Sequence, residues 1–213
     1  MDNNLKWVKD EKLKRTIEAL KKNNMNGYMV NSREELIDKI KEIVHEGAVV
    51  ACGGSMSLAE AGVMEHLRSG RYKFLDREKE GLTKEEINNI YRAAFSADAY
   101  FSSTNAITEN GELYNVDGNG NRVAAMLYGP DKVILVVGIN KIVKNVEEAI
   151  NRNKFIAAPA NTKRLNKKTP CAKVGYCMDC NSEERICNEY TLIKRQRVSD
   201  RIHVIFLNEE LGY

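Results

Sequence analysis

A chain of 213 residues, 43% hydrophobic and 30% charged, can bury one sizeable core and is too apolar to be disordered. Its net charge of +3 lacks the strongly basic balance of a dedicated nucleic-acid binder, so nucleic acid is not an expected partner. The polar start MDNNLKWVKDEK holds no signal-peptide core, and the longest apolar run, Val133 to Val137, is far too short to cross a bilayer.

Helix and strand signals alternate from the beginning. Leu13, Ile17 and Leu20 lie at helical spacing, and Asn24, Asn26 and Gly27 end that helix. Tyr28 to Val30 reads as a short strand. Ser32 and Glu35 have capping-box spacing at the start of a second helix, whose buried face is Leu36, Ile40, Ile43 and Val44. Ala48 to Cys52 is an unalternating apolar run, the mark of a strand covered on both faces by helices, as in a parallel sheet; Cys52 then reads as a core residue. Ser57/Glu60 and Thr83/Glu86 repeat the capping-box spacing and open helices towards Gly70 and Ser96. Ala99 to Phe101 is another buried strand. Asn110-Gly111, between Ile107-Thr108-Glu109 and Glu112-Leu113-Tyr114, predicts a hairpin because both turn residues tolerate positive φ. A short helix over Asn121 to Leu127, a strand over Val133 to Val137, a helix capped by Asn145 and a late strand over Ile202 to Leu207 complete the series. This order predicts a three-layer α/β/α fold with a mainly parallel sheet, an inserted β-hairpin and a C-terminal Cys-rich knob. Residues 1–213 form one domain, with the knob at 163–190 inserted before the last strand.

Three strands end in loops rich in small and polar residues: Gly53-Gly54-Ser55-Met56-Ser57, Ser102-Ser103-Thr104-Asn105 and Gly138-Ile139-Asn140-Lys141. Ligands of open α/β sheets bind outside the carboxyl ends of the strands, so these loops are expected to line one crevice. Gly53, Gly54 and Ser55 lead into a helix, where backbone N–H groups and the helix dipole favour an anion. Asn105, Asn110, Gly111, Asp117 and Lys141 add polar and charged groups, and Arg122 has the fork geometry to hold a carboxylate or phosphate. The bland reading of the Asn-Gly and Asp-Gly pairs is that they simply make turns. His45, His66 and His203 match no catalytic or metal spacing.

Cys171, Cys177, Cys180 and Cys187 form C-x5-C-x2-C-x6-C in a turn-rich, basic segment. Four thiolates so close together can close a tetrahedral site. The spacing matches neither the bacterial ferredoxin run nor a zinc finger, so iron–sulfur and zinc both remain open, beside disulfides and core cysteines. A cytoplasmic location is the expectation here, with no membrane partner, and in that compartment structural disulfides are rare.

The segment Gly-Gly-Ser-Met-Ser-Leu-Ala-Glu-Ala-Gly at 53–62, Ala97-Asp98, the Glu109-Asn110-Gly111 turn, and Arg122 before Gly129-Pro130 resemble the LUD domain of lactate-utilisation proteins, over roughly residues 5 to 160. The resemblance implies a fold similar to the ribose-phosphate isomerase and CoA-transferase superfamily. It also implies a role in bacterial oxidation of lactate or a related organic acid, with a small anionic metabolite as ligand and iron–sulfur oxidoreductases as partner proteins. That redox setting tilts the cysteine knob towards an iron–sulfur cluster, with structural zinc as the alternative. Thr108-Glu109-Asn110-Gly111 is also similar to the glutamate turn of family I CoA transferases, which would make Glu109 a catalytic nucleophile in acyl transfer. A third reading is a non-enzymatic regulatory or assembly module that docks through the knob.

Overall fold

Residues 2–213 are described by a computed structural model. Asp2 caps α1 (Asn3–Lys22) by accepting from Asn4 and Leu5 N–H. β1 (Asn26–Val30) and α2 (Arg33–Ile43) follow, and Ser32 caps α2 through the N–H of Glu35. The reciprocal bond is displaced by one residue, because the Glu35 carboxylate accepts from Asn31 rather than from Ser32. β2 (Val49–Cys52) leads to α3 (Met56–Glu60) and α4 (Val63–Leu67). Here the expected single helix to Gly70 is divided at Gly62, whose φ of +75° no helix accommodates. Ser55, not Ser57, caps α3.

β3 (Lys73–Leu75) precedes α5 (Lys84–Ala93), which opens on the full Thr83/Glu86 capping box. β4 (Ala99–Ser102), β5 (Ala106–Thr108) and β6 (Leu113–Asp117) come next, then α6 (Asn121–Leu127), β7 (Lys132–Gly138) and the short β8 (Ile142–Val143). Asn145 caps α7 (Val146–Arg152), and a π turn over Asn153–Ala157 carries the chain into α8 (Ala158–Arg164). The knob contributes α9 (Pro170–Val174), after which the chain forms β9 (Glu189–Ile193) and β10 (Ile202–Leu207).

β1, β10, β7, β4, β2 and β3 lie in that order in one six-stranded sheet, and every pairing is parallel. Alternate residues of its strands feed two cores. Val50, Phe101, Ile134, Val136 and Ile205 pack against Leu36 and Ile40 of α2 and against α3 and α4. Ala51, Tyr100, Val133, Leu135 and Val204 pack against Leu13 and Leu20 of α1 and Met126 of α6. The sheet is covered on both faces, which is why its strands read as continuous apolar runs. This is the expected α/β/α sandwich.

The hairpin does not join that sheet. β5 and β6 combine with β8 and β9 into a second, four-stranded sheet in the order β8-β5-β6-β9. Two strands thus follow the knob rather than one. No helix among the described residues is long and apolar enough to cross a membrane.

Candidate functional site

β7, β4 and β2 are neighbours in the parallel sheet, so the loops at their carboxyl ends meet. They form the floor of a crevice of about 510 Å³. Gly54 and Ser55 follow β2, Ser102 ends β4 and Ser103 to Asn105 follow it, and Lys141 follows β7; Asp117 and Arg122 come in from β6 and α6. The opposite wall is made by Asn161 and Arg164 of α8 and by Glu183 to Ile186 of the knob.

Several expected residues therefore come together: Gly54, Ser55, Asn105, Asp117, Arg122 and Lys141. Gly53, Glu109, Asn110 and Gly111 are not among the residues that line the crevice. Gly53 lies just behind it, where an added Cβ would sit 3.1 Å from the Arg122 methylenes and the Tyr100 hydroxyl. The hairpin tip is held against α1 instead. Arg15 pairs with Glu109 at 2.9 Å, and the Asn23 amide donates to the carbonyls of Asn110 and Gly111. Glu109 thus faces the helix that covers the sheet, away from the loops that form the floor.

Arg122 differs from its expected role. Nη1 donates to Ser103 O and Asn115 Oδ1, Nη2 to Asn105 Oδ1 and Val116 O, and Nε to Asp117 Oδ1. All five guanidinium donors are engaged, so Arg122 ties the β4 and β6 loops together and lends charge rather than a free fork.

Lys141 is only 3% exposed, and its Nζ donates to Ser57 Oγ at 2.8 Å and Ser103 Oγ at 3.2 Å. Burial, reinforced by the positive charges of Arg152 and Arg122 and opposed by Glu60, lowers its pKa to about 7. Arg152 is buried too, donates to Asn140 O and Asn105 O, and is brought down to about 10 by desolvation. Around the crevice, Arg77 Nε beside Gly54, Arg185 Nε and Tyr213 Oη are buried without a hydrogen-bond partner among the described residues.

The sequence singled out neither Ser103 nor Ser57 as functional. Ser57 has capping-box spacing with Glu60, but its hydroxyl meets Lys141 and Leu211 O, while the Glu60 carboxylate accepts from Gly212 N–H. Arg77, Arg185 and Tyr213 reach the crevice, and Arg152 reaches the backbone of its loops, through tertiary contacts that no local motif announces.

In the knob, Cys171, Cys177, Cys180 and Cys187 all line one small cavity of about 20 Å³. None of the five cysteines is in a disulfide. Cys171 is buried with its sulfur 3.3 Å from Thr169 Oγ1 and 3.4 Å from Thr162 Oγ1. Burial, with the neighbouring Cys177 and Cys171 thiols, pushes Cys187 up to about 11, whereas the Ser182 hydroxyl lowers Cys180. No group of three or more His, Cys, Asp or Glu among the described residues is drawn together into metal-holding geometry.

The fold and this floor define an α/β protein with a basic crevice at the carboxyl edge of a parallel sheet. The chain belongs to the LUD domain family, whose model matches residues 13–207, and it is thereby related in general terms to lactate utilisation. It is similar in fold to a DUF162 family protein from Deinococcus radiodurans, known from its crystal structure, at 17% identity and a TM-score of 0.54, over 93% of this chain and 98% of that one. The sequence matches no curated protein.

Proposed function

We propose that the protein acts in the oxidation of lactate or a related organic acid in the cytoplasm. It binds the anionic metabolite in the crevice and works beside redox partner proteins. The observation that carries this reading is Lys141, a buried amine on the crevice wall whose contacts are two hydroxyls rather than a carboxylate. A buried ammonium is stable only with a compensating charge, and a bound carboxylate is the simplest source of one. Arg77, Arg164 and Arg185 also line the crevice and supply positive charge for an anion.

The same reading gives the four cysteines one metal centre. They already share a cavity, and the segment around them is too polar to hold itself together by burial alone. The redox setting of the family supports an iron–sulfur cluster. A single structural zinc held by the same four thiolates is the second reading.

One preparation tests both parts. Protein purified without oxygen is assayed for iron, zinc and sulfide, and then titrated calorimetrically with lactate and pyruvate. The expected result is metal bound in proportion to protein, and saturable anion binding that weakens roughly tenfold or more when Lys141 is replaced by Met. Metal-free protein would remove the knob reading. Absence of binding by either acid would remove the crevice reading.

A further inference from the structure

The crevice holds a reactive arrangement that anion binding alone does not use. Ser103 and Lys141 both line it, and their side chains meet at 3.2 Å. Behind them Ser57, 1% exposed, donates its proton to Leu211 O at 3.3 Å and turns a lone pair to Lys141 at 2.8 Å. Ser57 therefore fixes the position of the lysine without competing for its lone pair. The Ser103 hydroxyl has only a 3.5 Å contact to Thr104 O, at the limit of a hydrogen bond, so its proton is free to turn towards the amine. A hydroxyl beside a base that a third group orients is the geometry of an activated nucleophile.

We propose that Ser103 is an acyl-transfer nucleophile with Lys141 as its general base and Ser57 as the residue that positions the base. The substrate class is an ester or thioester whose negative charge is met by the crevice arginines Arg77, Arg164 and Arg185, so that its acyl carbon and not its anion lies against Lys141, and water is the second reactant. The proposal rests on the crevice as a ligand site but is independent of the metal in the knob.

The atoms balance as follows. Lys141 Nζ takes the hydroxyl proton as Ser103 Oγ bonds to the acyl carbon. The bond from that carbon to the leaving oxygen or sulfur then breaks, and the leaving group takes the proton from Lys141. Water, deprotonated by the same amine, attacks the acyl-serine and releases the acid, and the proton returns to Ser103. The amine must be neutral to begin this sequence. Burial lowers its pKa to about 7, helped by the charged Arg152 of α7 and Arg122 of α6 and opposed by Glu60 of α3. A base poised there is well matched to work at neutral pH. A lysine serving only as a structural cation would be expected to meet a buried carboxylate.

The test uses the full-length protein and a fluorophosphonate probe, which labels activated serines, followed by mapping of the modified peptide. Label should sit on Ser103, with a rate that rises with pH through the neutral range. Lys141→Met should slow it about 100-fold or more, and Ser57→Ala should move the pH midpoint. Because the lysine variant changes packing, Ser103→Cys gives a second readout. Its thiol should react with iodoacetamide faster with Lys141 present than in the Ser103→Cys/Lys141→Met double variant. An unlabelled Ser103 in the folded protein, or rates indifferent to Lys141, would overturn the proposal. So would reductive trapping of pyruvate on Lys141 itself, which makes the amine the nucleophile. Labelling of Ser103 in a protein that binds neither lactate nor pyruvate would uphold the dyad and refute only the organic-acid reading.

Discussion

Lys141 and Arg122 stand beside each other in the crevice yet behave oppositely. Every donor of Arg122 has an oxygen to satisfy it. Lys141, buried and then flanked by Arg152 and Arg122, is driven towards the neutral amine, with a folded-state pKa of about 7 against 10.5 for an exposed lysine. Below pH 7 the folded protein therefore bears the full penalty of a buried ammonium. Between about 7 and 10.5 the unfolded chain binds more protons than the folded one, so this residue's contribution to stability improves as pH rises. Lys141→Met should accordingly stabilise the protein most at pH 6, by on the order of a few kcal/mol before lost hydrogen bonds are subtracted. The advantage should shrink steadily towards pH 10. Urea midpoints of the two proteins across that range measure it, and an advantage that stays level with pH would mean that the lysine is not destabilised by its charge.

The hairpin between β5 and β6 illustrates what an element owes to its distant neighbours. Gly111 has φ +74°, and a Cβ there would lie 2.7 Å from the backbone N of Leu20 in α1. Gly111→Ala should thus destabilise by about 1–3 kcal/mol, through both strain and the displaced helix. Gly47, at φ +79° with nothing within 4 Å, is the control and should lose only about 1 kcal/mol as Ala. Equal losses in thermal unfolding of the two variants would dismiss the helix contact. The turn itself was legible, because Asn-Gly is a local signal. Its destination was not: whether Glu109 faces the crevice or α1 is decided by Arg15 and Asn23, some ninety residues earlier. The central strands were legible for the same local reason, as unbroken apolar runs. β9, which starts inside the expected knob and has alternating Tyr190 and Leu192 half exposed, carries no strong local strand signal and becomes a strand by pairing with β6. Of the residues that line the crevice, loop composition pointed to Gly54, Ser55, Asn105 and Lys141, while Ser57 was hidden by a spacing that fits a helix cap equally well.

At the scale of the molecule, a net charge of +3 conceals a local concentration of cations around one crevice, and the cysteine knob is built into its wall. Arg185 and Ile186 line both the crevice and the cysteine cavity. Arg185 also donates to the carbonyls of Cys180 at 2.7 Å and Cys187 at 2.6 Å, so its guanidinium is positioned by the backbone of two cysteines. Gly118, at the mouth of the crevice, approaches Ile186 so closely that a Cβ would lie 3.1 Å from its backbone. If the four thiols bind a metal, the loop between Cys180 and Cys187 is fixed at both ends by that metal, and the crevice wall is ordered with it. Chelation of the metal, or Cys180→Ser, should then loosen residues 163–190 to proteolysis and weaken pyruvate binding about tenfold or more, while the parallel sheet stays folded by circular dichroism. Arg122, on the opposite wall, provides the contrasting variant: Arg122→Gln should weaken pyruvate binding without releasing metal. Metal loss that leaves pyruvate affinity unchanged would separate the two sites and reduce the knob to a structural appendage.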